Sequence, residues 1–330
     1  MNNGTRHGSR WMDCTAAACL FLVLLSCQAP GDLATDPSGT ASNITRTIIA
    51  PTSDVSPAPS VTLALLGDVM LGRDVHPTAE SFAYLEPFLA SADLALANLE
   101  SPLTDSPAET ESPYALCASP ENAKYLADAG FDLLALSNNH NLDCGVKGLV
   151  DTQRTLTEAE IGFIGADSKP VYRSINGISL SFLAFDATAV QFNMETAVQA
   201  VRSAQEAGAI VVVSIHWGSE YQSGASTHQK EIAEQLADAG ATLIWGHHPH
   251  VLQPLEWIDD HTTLVLYSLG NALFDQHGLE STRQSALVLV RLNSHGVVQF
   301  GVIPFLIDDR HSRVVEAGPT DRQRIMQYFK

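Results

Sequence analysis

The sequence predicts an α/β fold, because short apolar runs alternate with amphipathic stretches from Val61 onward. The apolar runs are the candidate strands, at residues 61–66, 92–98, 132–137, 209–215, 241–245 and 263–269. The amphipathic stretches are the candidate helices, at residues 121–129, 148–160, 196–207 and 227–239. The unit Leu-Ala-Asp-Ala-Gly occurs at 126–130 and again at 236–240. It predicts a helix that ends at a glycine cap just before a strand.

Residues 1–27 have the organisation of a bacterial lipoprotein signal. Arg6 and Arg10 precede an apolar run that is shorter than the roughly 20 residues a membrane-spanning helix needs. A permanent transmembrane anchor is therefore the less favoured alternative. The run ends in Leu-Leu-Ser-Cys, which resembles a lipobox in which Cys27 becomes the lipidated first residue. We expect an extracytoplasmic protein that is lipid-anchored to the bacterial cell membrane through Cys27.

The rest of the chain divides into three predicted regions. Residues 28–60 are rich in Pro, Ser and Thr without apolar periodicity, which predicts a disordered tether. The folded domain is expected at 61–308, followed by a C-terminal tail at 309–330. Within the domain, Cys117 and Cys144 are either a disulfide or two buried thiols, and the sequence favours neither.

The charge balance limits the classes of partner. The chain has 18 Lys and Arg residues against 37 Asp and Glu residues, which gives a net charge of −19. Such a chain repels phosphate backbones, so nucleic acid is not an expected partner. An anionic substrate would require local positive charge, and bound metal ions are the usual source. The sequence also lacks the G-x-S-x-G, Walker, G-x-G-x-x-G and H-E-x-x-H motifs.

Polar residues stand at the end of each apolar run. They are Asp68, Asn98, Glu100, Asn138, Asn139, His140, His216, His247, His248, His250 and Asn271. The carboxyl ends of strands form the edge at which open α/β sheets place their sites. Imidazole, carboxylate and amide oxygen suit Zn, Mn or Fe, and the absence of thiolates favours a catalytic site over a structural one.

Taken singly, most of these residues have a structural alternative. Asp68 follows a glycine and fits a capped turn, Asn139 fits an Asx turn, and His216 fits a packed core histidine. Gly-His-His-Pro-His at 246–250 is the strongest single signal, because three histidines in four positions after a strand are typical of metal binding.

Six motifs together resemble one known family. They are LLGDVMLGR (65–73), ADLALANLESPLT (92–104), DLLALSNNHNLDCG (132–145), IHWGSEY (215–221), GHHPHVLQPLE (246–256) and YSLGN (267–271). The chain resembles the bacterial capsule-synthesis CapA proteins associated with poly-γ-glutamate, within the calcineurin-like metallophosphoesterase superfamily. This resemblance implies a four-layered α/β/β/α sandwich with two central sheets around a dinuclear metal site.

The resemblance also implies roles for individual residues. It places metal ligands at Asp68, Glu100, Asn139, His216, His248 and His250, and a general acid at His140. Asn98, His247 and Asn271 are further candidates for the metal site. Met70 occupies a position at which the superfamily normally has a histidine ligand. The implied cofactor is two divalent ions, of Mn, Zn or Fe, or a single ion because of Met70.

The resemblance implies a membrane-anchored, metal-dependent hydrolase or transferase in the synthesis, attachment or release of a poly-γ-glutamate capsule. Its expected partners are an anionic envelope polymer and a membrane synthase complex. The alternative is a non-catalytic accessory or polymer-binding subunit of that complex with a degenerate metal site. Met70 and the change of the second-motif carboxylate to Glu100 favour the alternative, whereas the number of retained ligand types favours the enzyme.

Overall fold

The computed structural model describes residues 58–108, 114–167, 169–258 and 261–330. The predicted signal, its Cys27 and the tether up to residue 57 lie outside these ranges. None of the helices within them combines the length and apolar character needed to cross a membrane.

Strands and helices alternate along the described chain, which confirms the α/β class. The strands found there are β1 (Val61–Val69), β2 (Leu94–Leu99), β3 (Leu133–Ala135), β4 (Gly162–Ile164), β5 (Val171–Ile175), β6 (Ile178–Asp186), β7 (Ile210–His216), β8 (Ala241–His247), β9 (Leu252–Ile258), β10 (Thr263–Leu269), β11 (Asn271–Leu273), β12 (Gln284–Asn293), β13 (Gly296–Asp308) and β14 (Arg313–Glu316). The α-helices are α1 (Glu86–Leu89), α2 (Ala123–Ala129), α3 (Gly145–Glu158), α4 (Met194–Glu206), α5 (Thr227–Asp238) and α6 (Pro319–Ile325). Short 3₁₀ segments cover Pro120–Asn122, Glu280–Arg283 and Met326–Phe329.

The strands form two sheets. One has 8 strands in the order β14-β13-β12-β1-β2-β3-β4, with β11 beside β1, and the other has 6 in the order β5-β6-β7-β8-β10-β9. Strands β1 to β4 are mutually parallel, and so are β6, β7, β8 and β10. The six apolar runs are therefore divided between two sheet edges, where the residues alone predicted one. Strands buried on both faces have similar apolar runs in either sheet, so the pattern does not specify the sheet.

Three apolar clusters separate four layers. One fills the space between α1–α3 and the first sheet, one lies between the two sheets, and one lies between the second sheet and α4–α5. Neighbouring residues of β1 face different layers, since Leu65 belongs to the middle cluster and Leu66 to the first. The predicted α/β/β/α sandwich is confirmed by this arrangement.

Helix ends follow local sequence signals. Helix α2 ends at Gly130, whose φ of 90° lies in the left-handed region that glycine adopts without steric cost. Helix α5 begins with a capping box, in which the side chains of Ser226 and Gln229 each accept from the other's backbone N–H.

The C-terminal residues pack with the sandwich. Strand β14 pairs with β13 at the edge of the first sheet. Ile325 of α6 and Phe329 of the following 3₁₀ segment are buried in the cluster between the sheets. Residues 309–330, which the sequence suggested as a tail, thus contribute a strand and core side chains.

Cys117 and Cys144 form a disulfide, which resolves the alternative left open by the sequence. Their Cα atoms lie 6.1 Å apart and the residues are 27 positions apart in the chain. The disulfide connects the segment before α2 to Cys144, the residue that precedes α3. It therefore fixes the turn at 138–144, which carries several predicted site residues.

We expect a Cys117→Ala/Cys144→Ala variant to lose about 3.5 kcal/mol of unfolding free energy, because a loop of this length is released in the unfolded chain. Urea denaturation followed by tryptophan fluorescence measures the loss. Wild-type protein reduced with dithiothreitol is the control and should approach the variant's stability. A loss below about 1 kcal/mol would contradict a stabilising role for this disulfide.

Candidate metal centre

The predicted ligands lie where the carboxyl ends of strands from both sheets meet. Asp68 lies in β1 and Glu100 directly follows β2, whereas His216 ends β7 in the other sheet. The backbone N–H of His248 donates to Oδ2 of Asp68 over 3.2 Å, which connects the loop after β8 to β1. Both carboxylates and His216 are fully buried.

Four side chains form a first donor group around Nε2 of His216. Oδ1 of Asn139 lies 2.7 Å from this nitrogen, Nδ1 of His248 lies 3.1 Å from it, and Oε1 of Glu100 lies 3.5 Å from it. The ligand atoms of Glu100, His216 and His248 all lie within 4.8 Å of one another. The structure therefore brings these four predicted ligands together.

The chemistry of this group fits a divalent cation. Each of the four atoms carries a lone pair that can accept a hydrogen bond or bind a cation. A proton on Nε2 of His216 could be donated to only one of the other three atoms. Both carboxylate oxygens of Glu100 are buried without a hydrogen-bond partner, which costs about 1–3 kcal/mol per unsatisfied group. Zinc bonds to nitrogen and carboxylate oxygen are about 2.0–2.2 Å long, so ligands of one ion lie about 3–3.5 Å apart. A cation would satisfy all these atoms at once.

Asp68, Glu100 and His250 form a second donor group, again with their ligand atoms within 4.8 Å. Nδ1 of His250 lies 3.6 Å from Asp68, and Nε2 lies 3.7 Å from Glu100. Glu100 belongs to both groups, so its carboxylate could contribute to a cation held by either group. The structure thus contains residues that could hold one or two metal ions.

The further candidates Asn98 and Asn271 orient ligands by hydrogen bonds. Nδ2 of Asn98 donates to Asp68 over 2.8 Å. Nδ2 of Asn271 donates to Gln276 and to a backbone carbonyl, so its Oδ1 faces Nδ1 of His250 at 2.9 Å. This contact places the proton of neutral His250 on Nδ1 and leaves Nε2 free to bind a cation.

His247 is buried beside Asp68 but belongs to none of the donor groups found in the described residues, and Met70 is buried in the apolar cluster between α1–α3 and the first sheet. Nδ1 of His247 lies 3.2 Å from Asp68 without hydrogen-bond geometry, and its ring packs edge-on against Trp245. The sulfur of Met70 accepts from the N–H of Gly72 over 3.0 Å. The side chain of Met70 therefore has a local structural partner.

Two histidines of the centre have strained backbone conformations that orient their rings. His248 and His250 have φ values of 92° and 57°, which side-chain-bearing residues rarely adopt. Each such residue costs about 1–3 kcal/mol, and such strain concentrates at functional sites. Here it turns both rings toward Asp68 and Glu100, on either side of Pro249.

Burial sets the protonation of the centre. Burial and the nearby charge of Asp68 raise the pKa of Glu100 well above its ordinary value. Burial and the neighbouring ring of His248 lower the pKa of His216 well below its ordinary value. Burial also lowers the pKa of His248 and of His250. The three imidazoles are therefore neutral near pH 7, which is the form that binds a metal.

Asp68 behaves differently from Glu100. Burial alone would raise the pKa of Asp68, but the interaction with His247 and the adjacent histidines hold that pKa below its ordinary value. Two carboxylates in one buried site thus have pKa values displaced in opposite directions, which is characteristic of functional sites.

His140 lies beside the donor groups, on the turn fixed by the disulfide. Its Nδ1 is 2.8 Å from Oδ2 of Asp143, and its Nε2 is 4.0 Å from Oε1 of Glu100. Asp143 also accepts from the backbone N–H of Leu116. Asp143 was not among the sequence candidates, although its position three residues after His140 in a turn was an available signal.

Gly67 permits the close contact between the β1 and β10 motifs. A Cβ atom at Gly67 would overlap the carbonyl oxygen of Gly270. Gly246 similarly packs against the carbonyl oxygen of Tyr267 and the indole of Trp217. Gly67 therefore lets β1 of the first sheet approach the end of β10 in the second sheet, whereas Gly246 lets β8 pack closely on its neighbours within the second sheet.

The fold and this site define the class of protein, which is an α/β sandwich with a candidate metal centre where its two sheets meet. The family follows from sequence comparison. The profile described as "Bacterial capsule synthesis protein PGA_cap" matches residues 62–276, which include every predicted ligand. The chain belongs to this family.

Named relatives agree with this assignment, and a solved structure shares the fold. The "PGA biosynthesis protein CapA" of Bacillus subtilis is 33% identical over 80% of this chain and 76% of its own length. The "Capsule biosynthesis protein CapA" of Bacillus anthracis is 33% identical over 80% of this chain and 72% of its own length. A "Probable polyglutamine synthesis accessory protein" of Mycobacterium tuberculosis is 27% identical over 75% and 73%. A hypothetical protein from Thermus thermophilus shares the fold, with a TM-score of 0.51 and 16% identity over 74% of this chain and 99% of that chain.

We expect Gly67→Ala to lower the unfolding free energy by about 3 kcal/mol or more, because the overlap is with backbone rather than with a flexible side chain. Gly301→Ala is the matched control, since a Cβ there meets nothing within 4 Å. Urea denaturation of both variants makes the comparison. Equal stability of the two variants would show that the close approach at Gly67 is not required.

Proposed function

We propose that this protein is a metal-dependent hydrolase or transferase that acts on poly-γ-glutamate in capsule synthesis, attachment or release. The convergence of Asp68, Glu100, Asn139, His216, His248 and His250 at one buried point, with His140 beside it, is the observation that carries the proposal. We propose poly-γ-glutamate as the polymer because the Bacillus relatives are named for PGA biosynthesis and capsule biosynthesis. Two divalent ions, of Mn, Zn or Fe, are the proposed cofactor.

The residues of the site would have different roles in this reaction. Asp68, Glu100, Asn139, His216, His248 and His250 would hold the cations, which supply Lewis acidity and attract an anionic group of the substrate. Asp143 accepts from Nδ1–H of His140 and fixes the ring with Nε2 toward Glu100. In the doubly protonated ring, Nε2–H can protonate the leaving group of the bond that is cleaved.

The proposed location is the outer face of the bacterial membrane. It rests on the signal-like residues 1–27 and the lipobox-like Cys27. We further propose that the protein works with a membrane synthase complex, because the proposed substrate is a growing envelope polymer.

We expect purified protein to contain Mn, Zn or Fe, and His216→Ala to lose most of it. His216 contributes the nitrogen around which the first donor group is arranged. Inductively coupled plasma mass spectrometry measures the metal. His228→Ala is the control, because the side chain of His228 is 74% exposed on α5. Metal-free wild-type protein after growth in metal-supplemented medium would contradict the proposal.

We expect His140→Ala to lower the turnover of a phosphodiester reporter or of poly-γ-glutamate by about 10²–10⁴-fold, because a general acid is removed. Its metal content should stay at the wild-type value, since His140 lies outside the donor groups found in the described residues. His228→Ala again serves as the control. Equal turnover by wild type and His140→Ala would remove the assigned role of His140.

The second candidate is a non-catalytic, polymer-binding accessory of a synthase. Met70 favours it, because this buried side chain presents a thioether already engaged by the N–H of Gly72. Polymer binding that persists in EDTA and in His248→Ala would support the accessory function. Loss of binding under both conditions would favour the metal-dependent enzyme.

A further inference from the structure

Glu220 is an acidic residue next to the centre to which the proposed function gives no role. Its carboxylate and the ring nitrogens of His248 and His250 lie within 4.8 Å of one another. His250 also belongs to the Asp68–Glu100–His250 group, and His248 belongs to the group around His216. Glu220 therefore faces the two histidines that the two donor groups contribute from a single loop.

The position of Glu220 is set by its loop. Gly218 has a φ of 85° and packs so closely on the side chain of Gln229 that a Cβ would overlap it. The N–H of Tyr221 donates to the carbonyl of Pro249 over 2.8 Å, and Tyr221 itself has a φ of 63°. The loop that carries Glu220 is thus hydrogen-bonded to the loop that carries His248 and His250.

An exposed glutamate beside two histidines is not by itself a metal site, and a second observation is needed. Glu100 provides it, because both of its oxygens are buried without a hydrogen-bond partner and one lies 3.7 Å from Nε2 of His250. The centre thus has an unsatisfied carboxylate on its buried side and Glu220 on its exposed side. His250 lies between them, with its side chain only 3% exposed.

We propose that Glu220 is a metal ligand that closes the exposed side of the centre together with His248 and His250. The inference rests on the proposed metal function and adds a donor to it. A third carboxylate beside Asp68 and Glu100 also favours Mn over softer ions, because hard oxygen donors suit hard cations.

The test is Mn²⁺ titration of the metal-stripped full chain by isothermal calorimetry, with parallel Zn²⁺ and Fe²⁺ titrations of the wild type and with metal content after dialysis as a second measurement. We expect Glu220→Gln to weaken one Mn²⁺ site by about 10-fold or more, since it removes the charge and keeps the shape. Glu220→Asp should retain part of the affinity. Glu231→Gln is the matched control, because Glu231 is an exposed glutamate on α5 away from the donor groups.

Each outcome decides the inference. Weakened binding in Glu220→Gln with an unchanged melting temperature of the metal-free protein supports ligation over a structural role. Mn²⁺ affinity and stoichiometry equal to wild type overturn the inference and leave the proposed function standing. A wild-type chain that binds no Mn²⁺, Zn²⁺ or Fe²⁺ overturns both.

Discussion

Two fully buried carboxylates in one small space are the constraint on which the rest of the site depends. Asp68 and Glu100 are both inaccessible to solvent, and ionised carboxylates lose several kcal/mol of hydration when buried. Asp68 accepts hydrogen bonds from Nδ2 of Asn98 and from the backbone N–H of His248. Glu100 receives no donor hydrogen, so its burial is sustainable only as a neutral acid or beside a cation. The imidazoles around it are neutral and supply no positive charge, so an ionised Glu100 would require a bound cation.

The fold brings these groups together because the edges of the two sheets are in contact. Parallel strands direct their carboxyl ends the same way, so each sheet presents its polar residues along one edge. Contact between the edges requires backbone to touch backbone, which the absence of a Cβ at Gly67 permits, since the carbonyl oxygen of Gly270 lies where that Cβ would be. The left-handed residues His248 and His250 then turn their rings back toward the first sheet. The strain at these residues is held by the hydrogen bond between His248 and Asp68.

The sequence was sufficient for the fold class, for six of the 14 strands found in the described residues and for helices α2–α5, because apolar periodicity directly reflects burial. It did not reveal β6, whose Ser179 and Ser181 interrupt the apolar run, nor the division of the strands between two sheets. The C-terminal strand β14 is four residues long and gives no periodic signal of its own. These features depend on contacts distant in the chain rather than on local pattern.

The same distinction holds within the site. Residue type and position at strand ends made Asp68, Asn139 and His216 candidates, although each had a structural alternative. The structure places Asn139 against His216, and Asp68 with Glu100 and His250. The sequence could not separate His247 from His248 on physical grounds, because the φ of 92° at His248 departs from strand geometry. Asp143 and Glu220 were missed because their relevance comes from turns that bring them back to the centre.

The charge of the whole chain gives the proposed metal centre a further role. A net charge of −19 repels a polyanion such as poly-γ-glutamate, so a binding site needs local positive charge. Arg73 is near the centre, over the ring of Phe274, but its guanidinium is already paired with Asp275. The histidines of the centre are neutral and contribute no compensating charge. On the proposed function, divalent cations would therefore be the principal attraction for an anionic chain, and loss of metal would abolish substrate binding together with chemistry.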